Sequence, residues 1–134
     1  MKKHILITVA VFIAVCALLV SGYFLLDCAF PKAEDIEYPA VGDVVSLTVS
    51  LNSKEKLEIG EEKTKDIISA VACAKPTRIP SVNDYPTANP FYKIEISTKD
   101  RVYYYFVYED GDVFVEMPYV GVYCADVALL ELLM

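Results

Sequence analysis

Histidine is almost absent from this chain of 134 residues, and its scarcity limits the chemistry open to the protein. The one histidine is His4, near the N-terminus, so the rest of the chain cannot form a histidine-dependent acid–base pair or catalytic triad. The motifs of serine hydrolases, zinc proteases, phosphate-binding loops and dinucleotide-binding folds are missing as well. We therefore predict that the protein is not an enzyme and binds no cofactor.

The sequence also lacks any cysteine spacing that is typical of a metal site. Cys16 lies in an apolar run and Cys28 just after it, whereas Cys73 and Cys124 are far apart in the remainder of the chain. The sequence leaves open whether the last two form a disulfide or remain as buried free thiols. An acidic cluster at 109–112 lacks the spacing of a calcium loop, so we predict no metal site.

An excess of basic residues is missing too. The chain has 12 lysines and arginines against 19 aspartates and glutamates, a formal net charge of −7. Nucleic-acid binding depends largely on a basic surface, and so does attraction to anionic lipid head groups. We therefore expect no nucleic-acid partner and no electrostatic docking on anionic membranes.

The most distinctive feature that is present is an apolar run from Ile5 to Leu26 without charge or proline. As a helix it is long enough to cross the hydrocarbon core of a bilayer, which is about 30 Å thick. Lys2 and Lys3 precede it and favour a cytoplasmic N-terminus. Residues 1–27 are thus predicted to be a transmembrane signal anchor of a single-pass cell-membrane protein, with the C-terminal domain extracellular.

Two other interpretations of this segment were weighed. A cleaved signal peptide could be cut after Gly22, but the apolar run continues beyond that point and would be unusually long. A lipoprotein needs a small residue before the lipidated cysteine, whereas Val15 precedes Cys16 and Asp27 precedes Cys28. The uncleaved anchor is favoured, and cleavage stays open.

The part of the chain after the anchor is predicted to form a juxtamembrane tether and one domain. Two prolines and an acidic cluster at 28–42 suit an extended tether. Residues 43–134 are of single-domain size. They are predicted to form an α+β domain, a small antiparallel sheet with the order β-β-α-β-β-β-α, which two helices cover.

Periodicity places these elements along the chain. Alternating residues predict a first strand at Val44–Leu51 that buries Val45, Leu47, Val49 and Leu51. The further elements are a short strand at Leu57–Ile59, a helix at Glu61–Ala74, strands at Phe91–Ile96, Val102–Tyr108 and 113–117, and a last helix capped by Asp126.

Asp110-Gly111 predicts a two-residue type I′ turn, and that turn sets the register of the hairpin. The predicted pairs are Tyr108 with Val113, Phe106 with Val115, and Tyr104 with Met117. This register buries Tyr104 and Tyr108. It turns Tyr103 and Tyr105 to the opposite face, where they could form an aromatic surface for a ligand, although ordinary cross-strand pairing explains them nearly as well.

A proline-stiffened loop beginning at residue 77 is the other candidate binding site. Its polar side chains of interest are Thr77, Arg78, Ser81, Asn83 and Asp84. Loops on a rigid scaffold commonly carry binding residues. In the alternative, structural interpretation, these polar side chains cap turns and Arg78 pairs with Asp84.

Several stretches resemble a family of small extracytoplasmic domains of unknown function from Gram-positive bacteria. The stretches are Lys75-Pro76-Thr77-Arg78, Ser81-Val82-Asn83-Asp84, Tyr108-Glu109-Asp110-Gly111 and Glu116-Met117-Pro118-Tyr119-Val120-Gly121-Val122-Tyr123. The resemblance covers about Val44 to Leu133. It implies an anchored extracytoplasmic domain, and it brings no activity, cofactor or site residue.

Together these features predict a membrane-anchored binding module for an envelope protein, a peptide or a signal, such as an immunity or inhibitor protein. The alternative is an assembly subunit of a membrane complex that acts through its transmembrane helix, where Ser21-Gly22 offers small residues for close packing. A small enzyme that uses aspartate, arginine or tyrosine is the third possibility.

Overall fold

The computed structural model describes residues 2–134, which fall into two compact units, one up to Lys32 and the other Ala33–Met134. The first unit is helix α1 (Lys2–Ala29). It is long and apolar enough to cross a membrane, with a mean hydropathy of 2.8. The hydroxyl of Ser21 donates to the carbonyl of Ala17 at 2.8 Å. An apolar environment therefore tolerates this polar side chain.

The second unit contains all remaining elements. They are β1 (Val44–Leu51), β2 (Lys56–Glu58), α2 (Glu61–Ala72), β3 (Lys75–Pro76), β4 (Phe91–Thr98), β5 (Val102–Asp110), β6 (Asp112–Met117), β7 (Gly121–Ala125) and α3 (Val127–Leu133). The strands form one antiparallel sheet in the order β2-β1-β4-β5-β6-β7-β3. The predicted α+β class is confirmed, and β3 and β7 are strands that the sequence analysis did not predict.

Helices α2 and α3 cover one face of the sheet and form the core with it. Ile67 and Val71 of α2 and Leu129 of α3 are fully buried, together with Ile94 and Val115 from the sheet. Every member of this core cluster belongs to the second unit. The Asp126 side chain accepts a hydrogen bond from the amide of Ala128 at 2.9 Å, so the predicted N-cap of the last helix is confirmed.

The first strand differs from simple alternation at its two ends. Leu47 and Val49 are buried as predicted, but Val45 and Leu51 are exposed. The register of β1 against β4 shifts between Val44 and Ser46, and such a bulge turns the extra residue out of the regular pattern. The prediction that Val45 and Leu51 are buried is therefore wrong.

The β5–β6 hairpin pairs one residue away from its predicted register. Tyr108 lies opposite Phe114 instead of Val113, and Asp110 lies opposite Asp112. A type I′ turn needs positive φ at both central residues. Of Asp110 and Gly111, only Gly111 has one, at 77°. Gly111 alone therefore separates the paired residues Asp110 and Asp112, instead of the two residues of the predicted turn.

This shift reverses the two faces of β5. Tyr105 is 0% exposed in the core, and Tyr103 packs against the same core, whereas Tyr104 is 42% exposed. The prediction that Tyr103 and Tyr105 face away from the core is wrong, and so is the burial of Tyr104. Both alternating sets of residues in β5 are apolar or aromatic, so the sequence pattern could not correct a register that was wrong by one residue.

The predicted tether is largely part of the domain. The amide of Ala33 donates to the carbonyl of Thr77 at 3.1 Å, and Ile36 is buried in the core. The phenol of Tyr105 donates to the carbonyl of Glu37 at 2.6 Å. The compact unit thus begins at Ala33, ten residues before the boundary predicted at residue 43.

Candidate functional site

The sheet face opposite α2 and α3, here called the back face, is unusually aromatic. Its central side chains are Phe91, Lys93, Glu95, Tyr104, Phe106, Tyr108, Phe114 and Glu116, which share this face because of the strand register. A face exposed to water in an antiparallel sheet is ordinarily polar. Part of this face is covered by residues 77–90, a segment without helix or long strand that we call the strap.

Two contacts fasten the beginning of the strap to the edge of the sheet. The amide and the hydroxyl of Thr77 both donate to the carbonyl of Val122, at 3.0 and 2.7 Å. The same hydroxyl accepts a hydrogen bond from the amide of Ile79 at 3.1 Å. Thr77 therefore has the structural, turn-capping role that the sequence left open.

The centre of the strap is held by a buried carboxylate. Glu116 is only 7% exposed, and it accepts a hydrogen bond from the Ser81 hydroxyl at 2.6 Å. The Ser81 oxygen in turn accepts the amide of Tyr119 at 3.2 Å. A buried carboxylate needs such donors, because desolvation without partners is costly. Ser81 thus joins the strap to β6 and to the turn that follows it.

Tyr108 is the second hydroxyl beside Glu116. Burial of the phenol, the charge of Glu116 and a hydrogen bond to Glu116 together raise the pKa of Tyr108 to about 12. The phenol is therefore neutral near pH 7, where it acts as a hydrogen-bond donor to Glu116. Glu116, Ser81 and Tyr108 form one polar cluster beneath the strap.

Tyr119 lies in the turn between β6 and β7 in an unfavourable backbone conformation. Its φ is 62°, a value that costs a residue with a bulky side chain about 1–3 kcal/mol. The phenol of Tyr119 donates to the Asp84 carboxylate at 2.8 Å, and its amide reaches Ser81. These two contacts with the strap offset the strain.

Beside the strap lies a groove of about 360 Å³, here called the aromatic groove. It is lined by Asp84, Tyr85, Lys93, Tyr104, Phe106 and Pro118. The Tyr85 and Phe106 ring centroids are 5.4 Å apart, and those of Phe91 and Phe106 are 5.5 Å apart. Such tilted and edge-to-face ring pairs stabilise one another beyond their buried area, so the groove has a rigid aromatic wall.

The groove carries one cation and one anion. The ammonium of Lys93 lies 4.7 Å from the ring centroid of Tyr104 and 3.6 Å from the Glu95 carboxylate. Glu95 also pairs with Lys56 at 3.0 Å. The anion is Asp84, which the phenol of Tyr119 positions. A partner with both apolar and charged groups matches this lining.

The predicted site residues are only partly brought together. Thr77 and Ser81 are structural, Asp84 lines the groove, Arg78 is half-buried in the strap and Asn83 is exposed. Tyr103 and Tyr105 lie on the core side of the sheet, so they do not form the aromatic surface that was expected. The groove also contains Tyr85, Lys93, Tyr104 and Phe106, which were not predicted as site residues. The wrong hairpin register concealed Tyr104 and Phe106, whereas nothing in the sequence singled out Tyr85 or Lys93.

A larger cavity of about 730 Å³ lies at the outer edge of β1. Its lining includes Glu58 and Glu61 and the backbone around Gly42 and Gly60, but it contains no aromatic side chain. The aromatic groove is the better candidate because it combines rigid rings with both signs of charge.

No cysteine lines the aromatic groove as the structure describes it. Cys73 and Cys124 are free and exposed, so the alternative of buried thiols is wrong for both residues. Within residues 2–134 no group of three or more histidine, cysteine, aspartate or glutamate side chains is placed to hold a metal ion.

Comparison with known proteins places the domain in a family. The family model DUF5301, described as a domain of unknown function (DUF5300), matches residues 32–124. The chain is also similar to a protein from Ruminococcus gnavus with an NMR structure, with 27% sequence identity and a TM-score of 0.57. The match covers 68% of this chain and 91% of that chain. The Ruminococcus gnavus protein therefore has little beyond the matched domain. No curated protein matches the chain. The resemblance to a family of unknown function is thus confirmed, and the chain belongs to the family of domains DUF5301.

Proposed function

We propose that this protein is a membrane-anchored, extracytoplasmic binding module that holds an extended peptide segment of an envelope protein in the aromatic groove. The observation that supports the proposal is the groove itself, because aromatic rings, one ammonium and one carboxylate line the sheet face opposite α2 and α3. Peptide segments carry apolar side chains and charges of both signs at short spacing. Aromatic residues with a few fixed polar groups are typical of surfaces that recognise them.

The chemistry of the groove favours binding over catalysis. Lys93 already contacts Glu95, and Asp84 already accepts a hydrogen bond from Tyr119. The domain sequence contains no histidine that could move a proton near neutral pH. The proposal therefore assigns no catalytic step to the protein.

The proposed location rests on α1 and its flanking charges. Lys2 and Lys3 precede the apolar run of α1, and lysines favour the cytoplasmic side. We predict that protease added to intact spheroplasts digests the domain, while an epitope tag fused to the N-terminus stays protected. A domain that resists digestion until the membrane is broken would contradict this orientation.

The groove is tested by photo-crosslinking in the native cells. A photoreactive residue at position 104 should crosslink to an envelope protein, and the same residue at position 38 should not. Tyr38 is a matched control because it is 47% exposed, close to the 42% of Tyr104, and does not line the groove.

Tyr104→Ala should weaken the interaction by about tenfold, the effect of losing one aromatic contact residue. Tyr38→Ala should leave it unchanged. Identical crosslinks from both positions would defeat the proposal.

An assembly role of α1 is the alternative, and one additional arm separates it. When an unrelated membrane span replaces α1, the crosslink at position 104 should persist if the groove binds the partner. Its loss, with the domain still at the surface, would favour assembly through the helix.

A further inference from the structure

The helix-covered side of the sheet is not completely covered at the β1–β2 edge. Leu57 is 66% exposed there, and Leu51 and Met134 are exposed as well. A single exposed apolar residue is ordinary, but a group of them around one concavity marks a binding site. This concavity is separate from the aromatic groove, because the two share no lining residue. Its sheet residues Val49, Leu57 and Tyr92 lie on the core side of the sheet.

The floor of this second groove is continuous with the hydrophobic core. Val49, Tyr92 and Leu133, which belong to the core or pack against it, line it together with Leu51 and Leu57. Its volume is about 580 Å³, within the range of sites for small molecules. Most of the floor is aliphatic, with the Tyr92 ring beside it, so it would accept a hydrocarbon chain.

The rim of the groove carries the opposite chemistry. Lys54 and Lys63 lie there with one acidic side chain, Glu55, and with the terminal residue Met134. Lys56 also lines the groove. From residue 31 onward the chain has ten basic and eighteen acidic residues, so a local excess of lysine is unexpected. Lys56 pairs with Glu95. In the part of the chain that the structure describes, Lys54 and Lys63 enter no ion pair.

We propose that this lysine-rimmed groove binds a free long-chain fatty acid. The acyl chain lies on the apolar floor, and the carboxylate is held by Lys54 and Lys63. The division between an apolar floor and an ammonium rim matches the division between the tail and the head of this ligand. An acidic peptide would place polar backbone groups against the same apolar floor, where they find no partners.

Binding is measured with the domain Ala33–Met134, which has its own core and whose relative folds as a chain of similar extent. Octanoate, decanoate and dodecanoate are titrated below their micelle concentrations, and backbone amide shifts are followed by NMR. Saturable shifts should centre on Leu57, Lys63 and Tyr92. Each added methylene should tighten the dissociation constant roughly fourfold, the equivalent of ~0.8 kcal/mol. Dodecyltrimethylammonium, with the same tail and a positive head, should not saturate the site.

A matched pair of charge reversals tests the rim. Lys63→Glu and Lys65→Glu change the net charge equally on the same exposed part of α2, but only Lys63 lines the groove. Lys63→Glu should weaken dodecanoate binding by about tenfold or more, as expected for losing one charged hydrogen bond. Lys65→Glu should change it less than twofold. Equal effects of the two variants, equal binding of the cationic amphiphile, or tighter binding of an acidic peptide would each overturn the proposal.

Discussion

Replacing Tyr105 by alanine is expected to lower the free energy of unfolding by about 3–5 kcal/mol, the range for removing a large buried aromatic side chain. Tyr105 is 0% exposed, and its phenol donates to the carbonyl of Glu37 at 2.6 Å. Its ring stacks on Tyr103 with centroids 6.4 Å apart. The substitution therefore removes core packing and also a link to the segment that begins at Ala33. Chemical denaturation of the domain measures the change.

Two variants separate the contributions of the ring and the hydroxyl. Tyr105→Phe keeps the packing and loses one hydrogen bond, so it should cost about 0.5–1.5 kcal/mol. Tyr104→Ala alters the adjacent residue on the exposed back face and should cost less than about 1 kcal/mol. If Tyr104→Ala proved the more damaging of the two alanine substitutions, the observed register of the β5–β6 hairpin would be wrong.

Tyr104 and Tyr105 show which features of β5 can be predicted from the sequence and which cannot. The strand itself was predictable from its aromatic and β-branched residues. Which side of β5 faces the core was not predictable, because the predicted register required a positive φ at Asp110. Asp110 does not have one. With Tyr, Phe and Val at both alternating sets of positions, burial of either face would have satisfied the hydrophobic pattern.

Strand β7, which follows Tyr119, was not predicted for a different reason. Turns with positive φ are usually signalled by glycine, asparagine or aspartate, and a tyrosine gives no such signal. Here the conformation is maintained by contacts from far along the chain, through Ser81 and Asp84. Asn52 and Ser53, by contrast, both have positive φ, and asparagine is a usual signal for such a turn.

Part of the candidate site could be predicted from the sequence. The polar, proline-rich composition of the strap correctly indicated a structured loop, and Asp84 does line the groove. Its fastening to Glu116 could not be foreseen, since the two partners Ser81 and Glu116 are 35 residues apart. The one signal in the sequence was a charged residue within the apolar strand that ends at Met117.

Glu116→Ala is the second substitution with a large expected effect. It removes the acceptor shared by the hydroxyls of Ser81 and Tyr108. Hydrogen bonds to a charged group contribute about 1.5–3 kcal/mol each, so loss of the two should lower the free energy of unfolding by about 3–6 kcal/mol. Glu116→Gln preserves the shape and one acceptor oxygen and should cost about half as much. Glu109→Ala, on an exposed part of β5, is the control and should lie within about 0.5 kcal/mol of the wild type.

The pKa of Tyr108 provides a readout that a general loss of packing would not produce. Burial, then the charge of Glu116 and then its hydrogen bond raise this pKa from 10.0 to about 12 in the folded protein. The neutral phenol therefore stabilises the fold fully below pH 10, and that contribution disappears as the pH rises from 10 to about 12. In Glu116→Ala both contributions of Glu116 are lost, while burial and the charge of Asp110 remain. The pKa of Tyr108 should therefore fall part of the way towards 10, as measured by phenolate absorbance or NMR. An unchanged pKa with a destabilised fold would mean that Glu116 supports the strap by packing alone. A lowered pKa together with loss of the crosslink at position 104 would connect the buried cluster to the groove, because Ser81 holds the strap that places Tyr85 and Asp84.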